Sequence, residues 1–129
     1  MKLDDFLKHI HSGGTLDTPE IFRFMDEMSN EARRITFEIN NAYHTQEELR
    51  VLMSRLLDKP VDDTFKMFPP FYTDFGKNIT IGRNVFINAC CHFQDHGGVT
   101  LGDGCLIGHN VVFATLNHGI APDDRASMY

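Results

Sequence analysis

The sequence is short of three things, and each shortage removes a class of protein. No apolar run approaches the roughly 20 residues that a bilayer-crossing helix needs, and the first residues hold no apolar core of a secretory leader. No membrane attachment is expected, and a soluble cytoplasmic protein is. Cysteine is scarce, with only Cys90, Cys91 and Cys105. Two of these are adjacent, and neighbouring residues on a strand point to opposite faces, so reduced thiols fit better than a disulfide framework. Positive charge is also thin: 12 Lys and Arg face 18 Asp and Glu, a net charge of −6. No basic stripe follows a phosphate backbone, which argues against a nucleic-acid partner. An anionic co-substrate held by a few local cations stays compatible with this balance.

What the sequence does have is a repeat. Ile79-Thr80-Ile81-Gly82-Arg83-Asn84-Val85-Phe86-Ile87 returns 20 residues later as Val99-Thr100-Leu101-Gly102-Asp103-Gly104-Cys105-Leu106-Ile107. Within and beyond each copy a large apolar residue opens every hexad: Ile81, Ile87 and Phe93, then Leu101, Ile107 and Phe113. Such self-similarity marks stacked-coil architectures, in which one unit buries its apolar side only against the next. Six-residue faces, three to a turn, predict a triangular parallel β-helix. The two extra residues per interval, Ile79-Thr80 and Val99-Thr100, are expected at an elongated corner. Four residues after each inward aliphatic come Val85, Cys91, Gly97, Cys105, Val111 and Asn117, expected as the small groups beside it. Gly82, Gly102, Gly108, Asn84, Asn88 and Asn110 fall where corners need unusual backbone angles. An antiparallel sandwich with glycine turns leaves the constant six unexplained.

The first sixty residues follow another rule. After a short segment at Leu3 to His11 and the Ser12-Gly13-Gly14 break, Thr18 before Pro19 is a helix start with a cap and a proline at the first helical position. Ile21, Phe22, Met25, Ala32, Ile35 and Ile39 follow at helical spacing. Thr45 with Glu48 opens a second helix carrying Leu49, Leu52, Met53, Leu56 and Leu57, and Lys59-Pro60 ends it. This divides the chain into a helical region 1–60, an aromatic and proline-rich connector 61–78, and coils from 79 to 129. The connector's Phe65, Phe68, Phe71, Tyr72 and Phe75 are expected as core joining the helices to the end of the solenoid.

Chemistry is sought where the regular coil ends. His118, in Asn117-His118-Gly119 after Phe113 to Leu116, leads into the loop Ile120 to Ser127. A neutral imidazole is a side chain suited to act as a base that takes a hydroxyl proton. Asn88 offers an amide to orient a substrate oxygen, or serves a turn. Asp74 and Asp95 are acceptors for a hydroxyl-bearing ligand, or turn caps. His92, His96, His109 and His118 raise a metal reading, but Cys91 and Cys105 fill repeat-equivalent inward slots, which packing explains. No metal is expected.

Taken together, Tyr72-Thr73-Asp74-Phe75-Gly76-Lys77-Asn78-Ile79, Ile81 to Asn88, and Asn117-His118-Gly119-Ile120-Ala121-Pro122 with Arg125 resemble the maltose and galactoside O-acetyltransferases of the hexapeptide-repeat family. The helical region resembles their N-terminal domain. The resemblance implies a mainly β, left-handed parallel β-helix after an α-helical region, a homotrimer, and transfer of an acetyl group from acetyl-CoA to a hydroxyl of a small, sugar-like acceptor between subunits. It implies His118 as general base, and Asn88, Asp74 and Phe86 as acceptor-binding residues, with Phe86 in place of an aromatic that is often tyrosine. Asp26 and Glu27 both stand open for a further acidic contact. His96 occupies the place of a second aspartate after Asp95. Family members continue beyond the position of Tyr129 with coils that build much of the coenzyme A channel, so a piece of a longer protein is expected. The rival readings are a non-catalytic trimeric scaffold or degenerate paralogue, a metal-dependent lyase of the carbonic-anhydrase type, and an acetyltransferase that inactivates antibiotics.

Overall fold

A computed structural model describes Met1–Tyr129. Helix α1 (Leu3–His11) leads to α2 (Pro19–Asn40), which starts where Thr18 and Pro19 predict. Thr18 Oγ1 accepts the N–H of Ile21 at 3.2 Å, satisfying one of the first turn's unpaired donors. Helix α3 (Gln46–Leu57) opens on a reciprocal pair: Glu48 N–H donates to Thr45 Oγ1 at 3.2 Å and Thr45 N–H to Glu48 Oε1 at 3.1 Å. It ends on Asp58 at φ 55°. Ile21, Phe24, Ala32, Ile35 and Ile39 of α2 and all five predicted apolar residues of α3 are buried. Phe22 and Met25 are only half-buried, and Phe24 takes the inward position instead.

Eight short strands follow: β1 (Lys66–Met67), β2 (Phe71–Thr73), β3 (Ile79–Ile81), β4 (Phe86–Ile87), β5 (Cys91–Gln94), β6 (Val99–Leu101), β7 (Leu106–Ile107) and β8 (Val112–Ala114). They form three parallel sheets, ordered β1-β4-β7, β2-β5-β8 and β3-β6. Each strand pairs with the one exactly a repeat away, as in Met67↔Ile87↔Ile107 and Thr73↔Phe93↔Phe113. A chain that returns to the same sheet at every third strand winds as a three-faced parallel coil. The predicted rungs point inward: Ile87, Phe93, Leu101 and Ile107 are buried, and Ile81 and Phe113 pack against them. Phe71 and Phe93 stack at 5.3 Å between ring centroids, and Phe93 and Phe113 at 4.7 Å.

Four expectations are corrected. Ile79-Thr80 and Val99-Thr100 belong to strands, with Ile79 and Val99 buried. The elongated corner lies one step earlier, at residues 74–78 and 95–98, where hydrogen bonding to one buried carboxylate sets the turn. Gly97 and Asn117 are exposed, because they fall in that corner or beyond the last strand rather than in the interior slot. Of the predicted corner residues only Asn84 and Asn110 have positive φ, joined by Gly76, Cys90, Gly98 and Gly104. Gly82 is required for another reason: a Cβ there would lie 2.9 Å from the backbone nitrogen of Asp103 on the next coil. In the connector, Phe65, Phe71 and Phe75 are core, whereas Phe68 and Tyr72 are 44% and 45% exposed. Strand alternation turns Tyr72 outward between inward Phe71 and Thr73.

The helices cover the first coil by imitating a strand. Asn40 Nδ2 donates to the Phe71 carbonyl while its Oδ1 accepts the Phe71 N–H, both at 2.8 Å. Gln46 does the same to Met67 at 2.8 and 3.0 Å. Arg50 donates to the Phe65 carbonyl at 3.2 Å. These side chains pair an otherwise open sheet edge. From the coil side, buried Lys77 donates to the Leu56 carbonyl at the end of α3 (2.6 Å) and meets Glu31 at 3.2 Å. A final turn, α4 (Pro122–Arg125), precedes Tyr129, whose backbone N–H and carbonyl pair with Leu16 at 3.0 and 2.9 Å.

Candidate active site

Phe86 and Asn88 sit together at the corner where the first sheet passes into the second. Phe86 is on the outer side of β4, edge-on to Phe68 at 5.1 Å and 84°. Asn88 is fixed by its N–H on the Ile107 carbonyl (2.9 Å), and its Oδ1 accepts the Ala89 N–H at 2.8 Å. That local bond holds the turn and leaves the Asn88 Nδ2 without a hydrogen-bond partner in the protein.

Asp74 lies at the other end of the second sheet, directly after β2. Its Oδ1 is 2.8 Å from His92 Nε2. A carboxylate only accepts, so Nε2 carries the hydrogen, and in the neutral ring the lone pair of His92 sits on Nδ1. His118 follows β8 at the same end. Its Nδ1 is 3.1 Å from the Arg125 carbonyl, and its ring lies 4.5 Å from that of Tyr129. A carbonyl oxygen likewise only accepts, so Nδ1 carries the hydrogen, and Nε2 of this exposed residue has no hydrogen-bond partner in the protein. The structure therefore groups Phe86 with Asn88, and Asp74 with His92. No hydrogen bond or ring contact joins His118 to any of them. Asn88 precedes β5 and Asp74 follows β2, so these two stand at opposite ends of the second sheet, with His92 on the strand between them.

Asp95 is not a ligand group. It is fully buried, and its Oδ1 accepts from Thr73 Oγ1 (2.7 Å), Phe75 N–H (3.1 Å) and Gly76 N–H (3.0 Å), its Oδ2 from Asn78 N–H (3.1 Å). It builds the elongated corner. His96 beside it is stacked on Phe75 at 5.2 Å and 7°, and its Nδ1 has no partner. Burial pushes the His96 pKa below the ordinary imidazole value, and the charges of Asp95 and Asp74 oppose this only in part. Burial also lowers the Lys59 pKa, against a smaller opposing pull from Asp95. No three His, Cys, Asp or Glu side chains converge as a metal cage. Cys91 is buried, its thiol within 3.2 Å of the Asn88 carbonyl and 3.1 Å of the Gly108 carbonyl. The largest open groove runs along the outside of α3, past Arg50, Arg55 and Lys59, and contains none of the four candidates.

No protein-family model matches the chain. It is 32% identical over 111 residues to the sophorolipid acetyltransferase of Starmerella bombicola, covering 86% of this chain and 41% of that protein. It is 30% identical over 88 residues to the galactoside O-acetyltransferase of Escherichia coli K12, covering 68% and 43%. A hexapeptide-repeat-containing acetyltransferase from Vibrio cholerae, solved also with acetyl coenzyme A, superposes with a TM-score of 0.77 at 27% identity over 98% of this chain and 66% of that one. In sequence and fold the chain is similar to hexapeptide-repeat acetyltransferases.

It spans less than half the length of these two curated relatives. Sequence reasoning missed the edge-pairing amides Asn40 and Gln46, and the partnership of His92 with Asp74. The amides gave no signal beyond standing at helix ends. The His92 pairing was readable once β2 and β5 were aligned, since Tyr72 and His92 are register partners.

Proposed function

We propose that the protein is an acetyl-CoA-dependent O-acetyltransferase acting on a hydroxyl of a small, sugar-like acceptor. The observation that carries this reading is the tautomer of His118. With Nδ1–H held by the Arg125 carbonyl, Nε2 faces outward as a base at the exit of a rigid coil. In the transfer, Nε2 takes the acceptor's hydroxyl proton as that oxygen forms its bond to the thioester carbonyl. The carbon–sulfur bond then breaks, and His118 returns the proton to the departing thiolate. Asn88 and Asp74 orient the acceptor and Phe86 offers it an apolar face. Backbone N–H groups at the cleft stabilise the charge that grows on the thioester oxygen.

The coil is read as left-handed and the assembly as a homotrimer. Support for the assembly is the separation within one protomer: Phe86 and Asn88 stand at one end of the second sheet, Asp74 and His118 at the other. A site that gathers all four draws them from neighbouring copies. The division into a helical region 1–60, a connector 61–78 and coils from 79 to 129 is part of the same reading, as are coenzyme A contacts supplied by further coils. The test is His118→Ala in the intact gene product, expected to lower kcat by about 10²–10⁴-fold with the fold retained by circular dichroism. Activity within about threefold of wild type, below the range for acid–base assistance, would remove His118 as the base.

A further inference from the structure

The pairing of His92 with Asp74 is used by nothing above. The two side chains meet on the outer face of the second sheet, at 46% and 38% exposure, and neither makes another hydrogen bond. Tyr72, the register partner of His92 on β2, stacks beside it with centroids 6.1 Å apart and planes 28° from parallel. On the other flank the register partner is Val112, which is 67% exposed. A structural ion pair on a coil needs no such company. Here a carboxylate fixes an imidazole tautomer and an aromatic ring lies against its plane, leaving His92 Nδ1 and Asp74 Oδ2 without hydrogen-bond partners in the protein.

We propose that His92 is a specificity-determining residue of the acceptor site, and that His92 and Asp74 together receive a vicinal diol. This rests on the acetyltransferase reading above. Both free atoms are acceptors, so the ledge selects for two adjacent hydroxyl donors and against an acceptor with a single hydroxyl. The Tyr72 and Val112 flanks supply apolar surface for the C–H face of a hydroxylated ring. His92 Nδ1 takes one hydroxyl hydrogen and Asp74 Oδ2 the neighbouring one. No covalent step involves either residue, and His118 remains the base.

The test compares methyl glucoside, which carries vicinal hydroxyls, with tetrahydropyran-2-methanol, which carries one hydroxyl, as acceptors for the intact gene product. His92→Phe keeps a ring against Tyr72 and removes both nitrogens. It is expected to raise KM for methyl glucoside about fivefold to tenfold, as for one lost hydrogen bond and an unpaired neighbour, while kcat, KM for acetyl-CoA and KM for the single alcohol stay near wild type. In the wild type, the imidazole nitrogen resonances of His92 are expected to report Nε2–H and to shift at Nδ1 when methyl glucoside is added. Asp74→Asn is expected to disturb that tautomer and raise the glucoside KM as well. An unchanged glucoside KM in His92→Phe, or Nδ1 resonances blind to the glucoside, would overturn the proposal while transfer itself continues. Wild-type protein that acetylates neither alcohol would overturn the underlying reading, and this inference with it.

Discussion

Replacing Asp95 by alanine tests the elongated corner, the one element that breaks the six-residue rule. The substitution removes the acceptor for the N–H groups of Phe75, Gly76 and Asn78. Thr73 keeps a partner, because its hydroxyl is also 2.9 Å from the Phe93 carbonyl. An orphaned buried donor costs about 1–3 kcal/mol. Phe75 and Gly76 are buried and Asn78 is half-buried, so two donors bear most of the loss and water relieves part of the third. The sum is about 3–5 kcal/mol, which for a chain of this size lowers Tm by roughly 10–20 °C. Asp95→Asn keeps an oxygen for one side of the turn but sets an amide N–H₂ against the Asn78 N–H. Its expected loss is about 1–2 kcal/mol, near a third of the alanine effect. Thermal unfolding followed by circular dichroism measures both. A Tm change under about 3 °C for Asp95→Ala, less than 1 kcal/mol, would refute the argument and return Asp95 to the ligand-binding role its sequence position suggested.

Two glycines at equivalent places in successive repeats should respond with opposite signs. Gly82→Ala drives a Cβ against Asp103 and is expected to destabilise by about 1–3 kcal/mol, whereas Gly102→Ala meets nothing within 4 Å and gains about 0.4–1 kcal/mol; chemical denaturation of the pair checks this. Gln46→Ala strips both backbone partners from Met67 and is expected to cost about 1–3 kcal/mol, with hydrogen exchange accelerated at the Met67 amide before any other strand. His96 sets an acid limit. Its folded pKa lies below the unfolded value of about 6.5, so the unfolded chain binds the proton first and stability falls as pH drops below that point, by at most about 1.4 kcal/mol per pH unit. Melting curves between pH 7.5 and 5 should flatten in His96→Phe, and an unchanged slope would contradict the assigned burial.

The repeat made most of the coil legible, because inward positions recur at a fixed interval and the rungs from Ile87 to Ile107 stand where that count puts them. Helix starts were legible too, since Thr18 and Thr45 do their work within one turn. The first coil was legible only as one or two short extended pieces between Val61 and Lys77. Lys66–Met67 and Phe71–Thr73 carry no recognisable hexad, and Pro69-Pro70 interrupts them; only pairing to β4 and β5 identifies them as strands. The corner was misplaced by one step because its cause is a carboxylate acting across 17 to 22 residues of sequence, which no local pattern announces. The candidate site was read as residue types in positions. What the sequence left out was orientation: which nitrogen of His118 and of His92 is free follows from a carbonyl and a carboxylate that only the fold brings near.

The central claim is that His118 serves a transfer of acetyl from coenzyme A to oxygen. Mass spectrometry of the intact gene product incubated with acetyl-CoA and methyl glucoside tests it most directly. An acetyl ester on the sugar, formed with one free coenzyme A per ester and abolished by His118→Ala, is the predicted result. Ester formed equally well by the alanine variant, or none formed by the wild type with any hydroxyl acceptor, would contradict the account.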